Sequence, residues 1–263
     1  IFFQFYFDVN RENKMKILLL IISAFITSSI SAVLGMGGGI ILLGIMAIMI
    51  PNGYKVIALH GIIQLISNTT RTFVFRKYLN KNLIKEFFIG ALIGAGLSCM
   101  IIILLIKYFQ VNSASEIKVD FLKPIIGFFI IWYLFIKSSN KIEKKSESFI
   151  KVGGISGLAS IFVGATGPLI APFFLNENLT KEEIIGNKAA CQMVSHITKI
   201  PIFIYFFNMS YIKESAILLP LIIAVFVGTN VGKKILDLIP EIIFKKLFKI
   251  TLFIIAIKLI FSY

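Results

Sequence analysis

Two glycine-rich interruptions of apolar sequence are the places where this chain could do chemistry. Gly35-Met36-Gly37-Gly38-Gly39 breaks one apolar run and Gly164-Ala165-Thr166-Gly167-Pro168 breaks another. A glycine inside a helix costs about 1 kcal/mol relative to alanine, so three in succession predict that the helix stops and restarts there. A helix restarting over 40–50 is about 16 Å long, half the hydrocarbon core of a bilayer, which leaves its N-terminus near mid-membrane. The N–H groups at such an end lack intrahelical partners and carry the positive pole of the helix dipole, an arrangement suited to an anion. Gly167-Pro168 repeats the device, with proline in the first turn and the Thr166 hydroxyl as the expected N-cap. Close helix packing is the competing explanation for a single glycine, but two equivalent breaks favour a binding site.

A second constellation lies downstream of each break. His60, Gln64, Ser67, Asn68 and Arg71 fall within about 100° of one helical face, and Lys188, Gln192, Ser195, His196 and Lys199 form a stripe of the same spacing. Amides and hydroxyls can donate to oxyanion oxygens, while Arg71 or Lys199 supplies charge, and a charge within a span is costly enough to need such a reason. The blander alternatives are specific. Arg71 can snorkel to the interface, Gln64 and Gln192 can tie helices together, and His196 can be a satisfied polar residue rather than a proton carrier. Pro201 should kink the helix beside Lys199. The expected anion site therefore comprises Gly37, Gly38, Gly39, Gln64, Asn68 and Arg71 with Thr166, Gly167, Gln192, Ser195, His196 and Lys199.

The elements that must position these residues are membrane helices. The 263 residues are 57% hydrophobic and 15% charged, with mean hydropathy +0.91, which excludes an ordinary soluble domain. Eight apolar runs, near 17–50, 54–75, 83–109, 120–137, 149–175, 183–207, 212–236 and 242–262, predict an all-α, polytopic transmembrane helical bundle. The runs repeat. An offset of 128 residues pairs His60 with Lys188, Gln64 with Gln192, Ser67 with Ser195, Asn68 with His196 and Arg71 with Lys199, and one gap aligns the two glycine-rich breaks and Ser31 with Ser160. This gives two four-helix repeats with broken first helices, over 15–137 and 149–263, joined by a basic linker at 138–148. Met15-Lys16 looks like a natural start, so 1–14 is read as an extension outside the core; a signal peptide over 15–32 is disfavoured because the apolar run continues past any cleavage site. With four crossings per half, the halves should enter from the same side, related by an axis along the membrane normal; re-entrant first runs would invert one half.

The net charge of +14 would point to nucleic acid in a soluble protein, but the lysines sit between apolar runs, where cytoplasmic loops are basic. Eight crossings put 13 Lys and Arg on the side of the N-terminus and nine on the other, which predicts a multi-pass protein of the cytoplasmic membrane with both termini in the cytoplasm. Glu86 and Glu214 are expected at helix starts as dipole partners, and Glu177, Glu182 and Glu183 as solvated loop charges. Cys99 and Cys191 lack metal or redox spacing, and no nucleotide motif or H-E-x-x-H is present, so no cofactor, metal site or catalytic residue is expected.

At its paired positions the chain resembles the sulfite exporter TauE/SafE family, also called the four-toluene sulfonate uptake permease family. Gly35-Met-Gly-Gly-Gly-Ile-Ile-Leu-Leu and Gly154-Ile-Ser-Gly-Leu-Ala-Ser-Ile-Phe-Val-Gly-Ala-Thr-Gly-Pro-Leu-Ile-Ala-Pro172 carry the likeness, which extends over the chain from Met15. The second motif departs from the family at Ala165-Thr166, where glycines are usual. The resemblance implies transport of sulfur-containing oxyanions or sulfonates. The resulting expectation is a secondary transporter that binds a small anion between the two breaks, driven by a coupling ion, a proton or the substrate gradient, and compatible with a homo-oligomer. A passive anion channel is the nearest alternative, and an integral-membrane enzyme a more distant one, since the chain has two histidines and no aspartate in a core span.

Overall fold

The computed structural model describes residues 11–116, 128, 130, 131, 148–164, 166–174 and 179–261. Most of the run at 120–137, the linker up to 147, Ala165, Glu177 and residues 1–10 lie outside the described residues. Within them the chain forms nine α-helices and no strand: α1 (Arg11–Leu34), α2 (Gly38–Met49), α3 (Gly53–Val74), α4 (Lys81–Phe109), α5 (Phe149–Val163), α6 (Gly167–Ile170), α7 (Lys181–Phe206), α8 (Ser215–Asp237) and α9 (Glu241–Ile260). The described residues form the all-α bundle expected from hydropathy, and the apolar runs other than 120–137 recur there as helices, with 17–50 and 149–175 each interrupted.

Local chemistry sets the ends. Asn80 caps α4 by accepting from the Leu83 N–H at 3.1 Å. Thr180 and Glu183 form a reciprocal capping box on α7, with the Thr180 N–H donating to Glu183 Oε2 at 2.8 Å. Glu214 stands at the start of α8 as expected and pairs with Lys55 at 2.6 Å. Glu86 instead lies inside α4, where its carboxylate accepts from the Phe149 N–H at 3.3 Å. Helix α7 continues through Pro201 to Phe206.

Both first runs break where the glycines predict. Gly35 and Gly37 take φ of +70° and +96°, and Gly164 takes +79°, conformations that a side chain would strain. The two breaks lead into unlike structures. α2 is 12 residues long, whereas α6 is four residues succeeded by a 3₁₀ turn at Ala171–Phe174. α2 also does not continue the direction of α1. A Cβ on Gly38 would fall 1.7 Å from the Thr27 carbonyl oxygen, so α2 begins against the flank of α1, two turns back from its end.

The two sequence halves interlock. The start of α3 meets the end of α7, with the Tyr54 and Phe207 rings 6.3 Å apart, and the end of α3 meets the start of α7, where Asn187 Nδ2 donates to the Tyr78 carbonyl at 3.0 Å. These equivalent helices are therefore antiparallel. α4 runs parallel to α5, with Gly90 against the Ile150 carbonyl and Gly94 against that of Gly154. α8 runs parallel to α1, with Gly228 against the Phe25 carbonyl and Gly232 against that of Ser29. Exchanging antiparallel partners takes an axis that runs across the helices and not along them. The same-side arrangement expected from four crossings per half thus gives way to an inverted one, because the first run of each half folds back instead of crossing.

Three helices, α1 from Met15, α4 and α8, are long and apolar enough to cross a bilayer by composition. Large apolar side chains such as Leu104, Ile223 and Ile48 face outward from the bundle. Inside, one apolar cluster gathers Phe75, Phe87, Phe174, Phe244 and Phe248 toward one end, and a second gathers Leu20, Leu59, Phe203 and Leu221 toward the other. Buried polar residues from α1, α3 and α7 lie between them.

Candidate functional site

The level between the two apolar clusters is where both chain breaks arrive. There a small cavity is lined by Ser31, Met36, Gly37, Gly39 and Ile40 from the first break region, His60, Gln64 and Arg71 from α3, Gly167 and Pro168 from the second break, and Lys188, Gln192 and His196 from α7. The room inside is tight, little more than water-sized, so a larger ligand needs the walls to move.

The backbone at the breaks leaves donors free of helical bonding. The first intrahelical bond of α2 runs from the Ile41 N–H to the Gly37 carbonyl at 3.1 Å, so the N–H groups of Gly38, Gly39 and Ile40 have no intrahelical acceptor. At the second break the first such bond is Ile170 N–H to the Thr166 carbonyl at 3.2 Å. Thr166 occupies the N-cap position, but its hydroxyl makes no cap bond and is buried without a partner, a departure from the capping role expected of it.

Three basic side chains are buried around this level, and each is anchored to a backbone carbonyl. Arg71 Nη1 donates to the Ser31 carbonyl at 3.2 Å and Nη2 to Asn68 Oδ1. Lys188 Nζ donates across the halves to the Gly35 carbonyl at 2.6 Å, and to Gln192 Oε1 at 3.2 Å. Lys199 Nζ donates to the Gly164 carbonyl at 3.1 Å and lies 5.6 Å from the Phe203 ring. Their relative exposures are 2%, 1% and 1%, and no carboxylate is buried among the described residues, so their charge has no acidic counterpart within the bundle. Snorkelling is excluded for Arg71, which turns inward.

His60 and His196 approach edge to face with ring centroids 6.4 Å apart. His60 Nε2–H donates to the Gly39 carbonyl at 2.7 Å, while both Nδ1 atoms are buried without a partner, as is Asn68 Nδ2. Of these, His60 and His196 line the cavity, where a ligand or water can satisfy them.

Of the residues expected from sequence, Gly37, Gly39, Gln64, Arg71, Gly167, Gln192 and His196 line the cavity. Gly38, Asn68, Thr166, Ser195 and Lys199 stand behind it. Gly38 seats α2 on α1, Asn68 holds the Arg71 guanidinium, and Ser195 pairs with Ser156 at 3.0 Å as a helix contact. Sequence reasoning leaves out Ser31, His60 and Lys188. His60 and Lys188 open the two polar stripes and are equivalent in the repeat, a signal that the charged ends of the stripes obscure; Ser31 is marked only by its match to Ser160. Among the described residues no cluster of His, Cys, Asp and Glu could hold a metal ion. Cys191 is buried and Cys99 half-buried, both as free thiols.

The model of the sulfite exporter TauE/SafE family matches residues 20–259. No curated protein and no solved structure gives a match.

Proposed function

Because this chain belongs to the sulfite exporter TauE/SafE family, a membrane transporter family for sulfite or related anions, we propose that it is a secondary transporter whose anion binds in the cavity between the two breaks. One observation carries the location: three buried basic side chains converge where both breaks meet, with no buried carboxylate among the described residues. A small oxyanion supplies the missing negative charge. The α2 N–H groups and the Gln64 and Gln192 amides are donors at the cavity wall, Arg71 and Lys188 face it as cations, and the short α6 adds free N–H groups without a long helix dipole.

The inverted arrangement gives the site two equivalent approaches. Rocking of α1, α2 and α3 against α5, α6 and α7 about the axis across the helices would open one approach as the other closes. Substrates that match this charge and the family's chemistry include sulfite, thiosulfate and small sulfonates, moved across the cytoplasmic membrane without a nucleotide-driven step.

Purified protein in liposomes tests this reading. Sulfite or thiosulfate uptake should saturate and show counterflow, and should compete with other oxyanions but not with organic cations. Unsaturable, large conductance would replace the carrier with a channel. Saturable uptake that is unchanged in Lys188→Gln and Arg71→Gln would move the site elsewhere.

A further inference from the structure

The fold-back of both first runs redistributes the basic loops between the two faces of the bundle. Helices α1 and α3 start, and α9 ends, on one face; α3 ends, and α4, α5, α7 and α9 start, on the other. Contacts fix each connection. Asn187 Oδ1 accepts from the Asn80 N–H at 2.6 Å, which places the α3–α4 turn beside the start of α7. Lys181 Nζ donates to the Leu236 and Ile239 carbonyls at 2.9 and 2.6 Å, which puts the α8–α9 turn on that face too. On the opposite face, Lys55 pairs with Glu214, Ser113 Oγ donates to the Phe206 carbonyl at 3.4 Å, and Lys258 near the end of α9 approaches Gly44 of α2.

Counting eight crossings puts Arg76 to Lys85 on the side of the termini. The fold-back moves them across. Within the outermost two turns of the helices and the described connections, Arg76, Lys77, Lys81, Lys85, Lys151, Lys181, Lys233, Lys234, Lys245 and Lys246 share the face away from the termini. The face with the termini holds Arg11, Lys14, Lys16, Lys55, Lys107, Lys213 and Lys258. The longest basic run of the sequence ends at Lys151, at the start of α5 on the richer face. Orientation follows the distribution of Lys and Arg in short loops and at helix ends, while acidic residues contribute little. An anionic cytoplasmic leaflet further favours the side with more Lys and Arg, by about 1 kcal/mol for each residue near its surface.

We infer that the face bearing the α3–α4 turn, the start of α7 and the α8–α9 turn is cytoplasmic, and that the start of α1 and the end of α9 lie on the outer side of the membrane. This reverses the orientation obtained from hydropathy alone. It rests on the antiparallel pairing of α3 with α7 and not on the identity of the anion, so it stands or falls separately from the transport reading.

Full-length chains carrying a reporter after Tyr263 test it directly. An alkaline phosphatase fusion should be active and a green fluorescent protein fusion dark; a fluorescent, phosphatase-inactive pair overturns the inference. Single substitutions provide a second measurement without a fused domain. A membrane-impermeant maleimide on intact cells should label Lys213→Cys at its level in lysed cells and lose the label at Lys77→Cys, two positions with exposed side chains. The reverse pattern, or equal labelling of both in intact cells, refutes a single outward-terminus orientation.

Discussion

Lys188 differs from the other buried cations in bridging the two halves, since its ammonium holds the Gly35 carbonyl while facing the cavity. A hydrogen bond involving a charged group contributes about 1.5–3 kcal/mol, so Lys188→Gln should raise the apparent KM for the anion by roughly tenfold or more. Flux assays over a substrate series, normalised to protein in the membrane, measure that shift. Gly39 offers a steric counterpart. A Cβ there would lie 3.1 Å from Gln64 Oε1, so Gly39→Val should abolish uptake, whereas Gly44→Ala, whose nearest neighbour is the end of the flexible Lys258 side chain at 3.8 Å, should leave uptake within about twofold and add roughly 0.5–1 kcal/mol of helix stability. Uptake and thermal unfolding of the same two variants separate the effects.

The element scale turns on how closely helices from different halves approach. A methyl group on Gly94 would meet the Gly154 carbonyl at 2.0 Å, and backbone cannot yield as a side-chain tip can. Gly94→Ala should therefore destabilise the α4–α5 pair by about 1–3 kcal/mol, read as a lowered unfolding temperature in detergent, while Gly96→Ala, with open space around it, should not. The breaks and the polar stripes are legible in the sequence because glycine runs and residues three or four apart have direct conformational meaning. The inversion is not. Hydropathy counts 17–50 as one apolar run whether it crosses or folds back, and the deciding contact, Gly38 against the Thr27 carbonyl, is invisible to it. Proline in the first turn marks the second restart, and Pro172, which disfavours helix at the residue before it, marks the end of α6 at Ile170. Ser195 matches Ser67 in the repeat and reads in the sequence as a ligand donor, although both hydroxyls join helices, Ser67 with Ser28 and Thr229 at 3.3 Å each and Ser195 with Ser156.

For the whole molecule, the antiparallel crossing of α3 and α7 is the feature on which the inverted arrangement depends. Tyr54→Cys with Phe207→Cys should be joined by a short bifunctional thiol reagent, since these side chains meet, whereas Tyr54→Cys with Lys181→Cys, at opposite ends of the bundle, should not. Mobility on non-reducing gels distinguishes the pairs. If the two halves rock, the successful cross-link should also stop exchange and leave binding intact.

The polar layer shared by α3 and α7 has a cost during synthesis. At 22 and 26 residues both helices are long enough to span, yet α1, α4 and α8 alone among the described helices are apolar enough to qualify by composition. A segment carrying Gln64, Asn68 and Arg71 gains little from lipid on its own, and each centrally placed charge costs about 2.5–3.5 kcal/mol on insertion scales. In the fold α3 is covered by α7 and α8, which are made after it, and α7 by α3 and α4, which are made before it. The site is thus assembled from the two helices least able to insert alone, which ties the birth of the cavity to the order in which the ribosome releases its neighbours.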